Sequence, residues 1–163
     1  MKALILFRSH YGNTKQVAEA MAAELSALGH ESVVQDLRRR LPAPDGVALI
    51  LIGAPTRMAR VSRKALRALK RLRKRGFAPK RFAIFDTYGP VPTDPEKLEK
   101  GRKWLYPGAA GILQEAAKTL GLNVYPKALR CEVKDLKGPL ADGELEKAAA
   151  FVREFASSVT LGS

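Results

Sequence analysis

Lys2-Ala3-Leu4-Ile5-Leu6-Phe7, followed at once by Arg8-Ser9-His10-Tyr11-Gly12-Asn13-Thr14, sets an unbroken apolar run against a short loop of hydroxyl, amide and glycine residues. The run has no polar alternation, which is the pattern of a strand buried on both faces. Beyond the loop, Val17, Ala18, Met21, Ala22, Leu25 and Leu28 recur at helical spacing, and Gly29 stands where a helix ends. Strand, loop and helix in this order aim free backbone N–H groups and the positive helix end at one point, where a phosphate is stabilised. The loop matches neither of the two best-known glycine-rich phosphate patterns.

The same arrangement returns twice downstream. Val47–Ile52 is a second apolar strand and ends in Gly53-Ala54-Pro55-Thr56-Arg57-Met58-Ala59-Arg60. Arg81–Asp86 is a third, followed by Thr87-Tyr88-Gly89-Pro90. Glu31–Asp36 reads as a half-polar strand suited to a sheet edge. Val124–Val133 reads as a last strand whose Pro126 predicts an edge position or an interruption. Five strands alternating with helices predict a parallel α/β sheet covered on both faces. No repeat, linker or second core is visible, so residues 1–160 are expected to form one domain.

The Ser9-His10-Tyr11-Gly12-Asn13-Thr14 loop resembles the phosphate loop of flavodoxins, and Gly53-Ala54-Pro55-Thr56 resembles their second flavin loop. The resemblance implies a flavodoxin-like doubly wound sheet in the order 2-1-3-4-5, with helices on both faces and FMN as cofactor at the switch point between the first and third strands. It implies that Ser9, Asn13 and Thr14, with the N–H groups around Gly12 and Tyr11, hold the phosphate, and that His10 faces phosphate or solvent. Pro55, Thr56, Arg57, Met58 and Ala59 would form the second loop, and Thr87, Tyr88 and Gly89 the third, with Tyr88 as the candidate for stacking on the flavin. Met58 stands where many members carry an aromatic residue. No catalytic acid or base can be named.

The charge departs from the family, whose members are typically acidic. The chain has 29 Lys and Arg against 16 Asp and Glu, a net charge of +13. Twelve of the basic residues fall between Arg57 and Arg81 with no acid among them, and the rest of the chain is close to balance. In this segment Val61, Ala65, Leu69 and Leu72 form an apolar stripe, opposite Arg63, Arg67, Lys70, Arg71 and Lys74. An uncompensated basic face repels itself and calls for an anionic partner. Three readings stay open: an FMN electron carrier docking an acidic redox protein, a flavodoxin-fold oxidoreductase of the NAD(P)H:quinone type, and a basic module holding nucleic acid or an anionic surface. One cationic side chain about 8 Å from the flavin is worth roughly 2 kcal/mol at an effective dielectric of ~20, or ~80 mV for one electron. Arg57 and Arg60 therefore predict a less negative potential for full reduction.

The single cysteine, Cys131, allows no internal disulfide and is expected as a buried structural thiol in a reducing compartment. No run is long enough to span a bilayer and no signal pattern opens the chain, which predicts a cytoplasmic protein, monomeric or homodimeric. No Cys/His spacing suggests a metal. In Val91–Pro107, Asp94 reads as a helix cap with Pro95 at the first position. Leu98, Trp104, Leu105 and Tyr106 suggest a small lid, with Trp104 as its anchor.

Overall fold

In the computed structural model, which describes residues 1–161, the side chains of β1 (Lys2–Phe7) alternate between two separate cores. Ala3, Ile5 and Phe7 enter one and Leu4 and Leu6 the other, as the period of two requires. β3 (Val47–Pro55) and β4 (Arg81–Tyr88) divide in the same way. Leu49, Leu51, Ala83 and Phe85 face the first core, and Ile50, Ile52, Phe82 and Ile84 the second. Both faces of these strands are apolar because both are covered.

The first core is closed by α1 (Asn13–Ala27) and α5 (Glu144–Leu161), through residues such as Met21, Leu25, Val152 and Phe155. The second is closed by α2 (Arg63–Leu72) and α4 (Gly108–Thr119), through Leu69, Leu72, Leu113 and Ala117. With β2 (Glu31–Asp36) on one edge and β5 (Asn123–Val124) on the other, the parallel sheet runs β2-β1-β3-β4-β5. This is the order 2-1-3-4-5 of the flavodoxin-like fold.

The last strand is two short ones. β5 and β6 (Leu129–Glu132) both pair with β4, separated by Tyr125–Ala128. Pro126 brings no N–H to the ladder. The Tyr125 N–H donates to the Phe82 carbonyl at 2.7 Å, and its own carbonyl accepts from Gln114 Nε2 at 2.6 Å. The backbone is thus satisfied by a helix side chain where the ladder lapses.

Register decides where the loops emerge. Phe7 lies beside Gly53, and Pro55 beside Thr87, so the chain leaves β1, β3 and β4 at neighbouring levels of one sheet end. The pairing is tight: a Cβ on Gly53 would stand 2.2 Å from the Phe85 ring.

Ser62 caps α2, its hydroxyl accepting from the Lys64 N–H at 3.1 Å. The buried stripe is Ala65, Ala68, Leu69 and Leu72, with Val61 packed at its margin. Past Leu72 the chain makes a wider helical turn, Arg73–Phe77, which Gly76 interrupts. α3 (Pro95–Leu105) starts as expected, with the Asp94 carboxylate accepting from the Glu96 N–H. Its anchor differs from the expectation. Trp104 is 47% exposed, with Lys103 over its ring at 5.0 Å, while Leu105 is buried at 7%. The helical rotation of one residue gives the inward direction to Leu105. α3 does not roof the cleft described below, so Leu98, Trp104 and Tyr106 form no lid. Cys131 is buried, and desolvation pushes its thiol up to about 12, which keeps it an unreactive thiol. Among the described residues no helix is long and apolar enough to cross a membrane.

Candidate functional site

The loop between β1 and α1 closes on itself. Gly12 has φ 91°, and its N–H donates to Ser9 Oγ at 3.0 Å. That left-handed conformation is open to glycine without strain. The following N–H groups of Asn13, Thr14 and Lys15 lie in the first turn of α1, where no helical carbonyl reaches them. They are the free donors at the positive end of the helix.

The side chains of this loop are already partnered. Thr14 is 1% exposed, and its hydroxyl stands 2.8 Å from that of Thr87. One O–H of the pair is spent on the bond, and the other remains free to donate. Asn13 Nδ2 donates to the Lys137 carbonyl at 3.2 Å. A Cβ on Gly138 would stand 2.5 Å from Asn13 Oδ1. The first loop is therefore buttressed by the third and by the segment after β6.

The second loop is held from below. The Thr56 N–H donates to the Thr87 carbonyl at 2.8 Å, and the Thr56 hydroxyl donates to Asp86 Oδ2 at 2.8 Å while accepting the Ala109 N–H at 2.8 Å. Its hydroxyl is thus a structural group. Arg57 and Arg60 then exchange two backbone hydrogen bonds, 3.1 and 2.9 Å, around a two-residue turn. Met58 (φ 50°) and Ala59 (φ 63°) occupy left-handed positions that usually take Asn or Gly. Such strain clusters where a loop presents a side chain for use, and here the tip presents Met58, 68% exposed. In the third loop Gly89 has φ 119°, and a Cβ there would meet the Val133 carbonyl at 2.9 Å.

Twelve of the fourteen expected residues line one cleft of about 220 Å³. Ser9, His10, Tyr11, Asn13 and Thr14 come from the first loop, Pro55, Thr56, Arg57 and Met58 from the second, and Thr87, Tyr88 and Gly89 from the third. Gly12 and Ala59 shape turns without lining it. Val133 and Leu136, from the segment after β6, complete the wall. The sequence does not mark them, because a strand end and an exposed loop leucine carry no recognisable pattern. The lining combines hydroxyls, an amide, Arg57 and His10 with Met58, Tyr88, Tyr11 and apolar residues, and holds no carboxylate. That donor set suits a flat aromatic ligand bearing a phosphate, and FMN fits it. The cleft is smaller than the roughly 300–1,000 Å³ of typical ligand pockets, so a ligand of that size keeps one edge in solvent.

Two electrostatic features frame the cleft. His10 Nε2 stands 3.3 Å from an Arg57 guanidinium nitrogen. Desolvation first, then the charges of Arg57 and Arg8, hold its pKa below the ordinary 6.5, so it is neutral at pH 7. Below the cleft, fully buried Asp86 pairs with Arg130, whose Nε lies 3.0 Å from both carboxylate oxygens. Asp86 also accepts the Ala110 N–H at the start of α4, 3.0 Å away. The Arg130 guanidinium donates to the Leu105 carbonyl at 2.9 Å and lies 4.4 Å from the Tyr88 ring centroid and 5.1 Å from that of Tyr106. The Tyr88 ring thus has a cation packed against it. Burial leads the causes that raise its phenol above the usual pKa. Nothing in the sequence distinguishes Arg130, one basic residue in a basic chain.

Residues 4–122 match the family model described as the flavodoxin domain. No curated protein sequence matches the chain. Among solved structures, a flavodoxin from the domain Archaea is 21% identical over 98% of this chain and 99% of its own, with a TM-score of 0.69. Flavodoxin 2 from Bacillus cereus is 22% identical over 97% of this chain and 99% of its own, with a TM-score of 0.71. The Flv1 flavodiiron core from Synechocystis is 16% identical, with a TM-score of 0.75, and the chain corresponds to 37% of that longer chain.

Proposed function

The chain belongs to the flavodoxin-domain family, and on that premise we propose that it binds FMN in the three-loop cleft and transfers electrons between protein partners. The observation that carries this reading is the convergence of the loops after β1, β3 and β4 on one carboxylate-free cleft that adjoins the start of α1 and is lined by Met58 and Tyr88. When bound, the flavin supplies the redox chemistry.

The chain's own residues do the rest. Asn13, the Thr14–Thr87 hydroxyl pair, Ser9 and the first N–H groups of α1 hold the phosphate. Met58 and Tyr88 pack on the ring. Arg57 places a positive charge beside it, which favours the more negative, fully reduced form of whatever flavin is held there. Asp86 and Arg130 hold Thr56 and Tyr88 in position from below. Of the twelve basic residues from Arg57 to Arg81, none is in an ion pair among the described residues. The Arg63, Arg67 and Lys70 face of α2, continued by Lys74 in the turn after it, is therefore available to an acidic redox partner, with docking that weakens as salt rises.

Titration of the purified chain with FMN tests the cofactor. Saturable quenching of flavin fluorescence near one equivalent is expected. Asn13→Ala combined with Thr14→Val should weaken it by about tenfold or more, since each change removes a phosphate donor with a net worth of about 0.5–1.5 kcal/mol. Fluorescence that stays unquenched at high micromolar FMN would exclude this cofactor reading.

A further inference from the structure

Beside the cleft lies a second hollow of about 260 Å³, walled by Arg8 and His10 from the first loop, Arg57 and Arg60 from the second, and Ser62 and Lys64 at the start of α2. It shares His10, Pro55 and Arg57 with the cleft, so the two are immediate neighbours. Four permanent cations from three chain segments converge there, and no carboxylate lines it.

Several features raise the positive potential further. The first turn of α2 contains no acid and opens with Arg63 and Lys64 at the positive end of its own dipole, where basic residues are disfavoured. None of Arg8, Arg57, Arg60 and Lys64 is in an ion pair among the described residues. Desolvation first, then the cations of Arg57 and Arg8, oppose protonation of His10; the neutral imidazole accepts from Arg57 at Nε2 and keeps an N–H on Nδ1 that can donate to an anion. Like charges held together at one concave place repel one another unless an anion offsets them. Guanidinium forks match the oxygens of phosphate in particular.

We infer that this hollow binds the phosphate or diphosphate group of a small-molecule redox partner, and so holds the rest of that molecule against the flavin cleft. What the ligand does there rests on the FMN reading above; the binding itself does not. The hollow gathers its cations from three chain segments between loops, whereas the α2 face offered to an acidic protein draws them from one helix and extends further along it. A small anion fits the first, and a protein surface the second.

Inorganic pyrophosphate, titrated calorimetrically into the FMN-saturated chain, is the probe. We compare the unaltered chain with Arg60→Ala/Lys64→Ala, which touches the hollow and not the cleft, and with Arg73→Ala/Lys74→Ala, which removes the same charge in the turn beyond α2. The expected result is saturable binding of one equivalent, weakened by about tenfold or more in the first variant and nearly unchanged in the second. FMN quenching should be equal in all three. Equal weakening in both variants would reduce the effect to diffuse charge and overturn the site. So would the absence of saturable heat, including the case in which only an acidic polypeptide such as polyglutamate binds. If FMN itself does not bind, the same comparison in the Asn13→Ala/Thr14→Val background reads the hollow alone, so failure of the cofactor reading and failure of the anion site are told apart.

Discussion

His10 reports on the cleft mouth more directly than any other side chain. Desolvation and the charges of Arg57 and Arg8 all oppose its protonation. Its imidazole should titrate below 6.5 by NMR, and Arg57→Gln should move that midpoint upward, because one opposing charge is gone. A midpoint unmoved by the substitution would mean that Arg57 and His10 do not stand together in solution. At this scale the sequence was legible in kind and not in partners. That Ser9, Asn13 and Thr14 belong to one anion-binding loop follows from their spacing after a buried strand. That Thr14 bonds Thr87 across a separation of 73 residues, or that Asn13 leans on Lys137, does not, because hydroxyls and amides choose partners by tertiary approach. The Thr56 hydroxyl makes the same point: its loop was readable, and its commitment to Asp86 was not.

Among elements, the junction of β4, β6 and α4 rests on one buried ion pair. Asp86 is fully buried and Arg130 partly so, with side-chain exposures of 0% and 19%. Removing one partner leaves the other charge without compensation, so Arg130→Ala should cost about 3–5 kcal/mol, read as a lower urea midpoint. It should also loosen Tyr88, whose ring loses the guanidinium behind it, and weaken FMN quenching. Stability unchanged from the parent would show that water replaces the pair at no cost. The helices and the three buried strands could be read in advance because their periods, caps and apolar runs are local. The split of the last strand depended on where Gln114 reaches. The burial of Leu105 in place of Trp104 depended on the helix's rotation, and neither is a property of its own segment.

Taken whole, the molecule has one basic side, and that side borders the cleft. If the bound flavin lies against Arg57, redox titration of the FMN-loaded chain should show Arg57→Gln lowering the potential for full reduction by tens of millivolts. The ceiling is roughly 80 mV before screening by salt. An unchanged potential would place Arg57 away from the ring. The segment from Arg57 to Arg81 was plain in the sequence as a run of charge; that its first residues wall a hollow while the rest cover a helix needed the fold. Because charge is gathered on one side instead of spread, the molecule carries a large permanent dipole moment, and an electric field acts on it as a torque as well as a pull. Near a negatively charged electrode it should arrive already turned, with the edge of the cleft toward the metal. Current could then pass without a mediator, for the same reason that a charged partner would meet it in only one orientation.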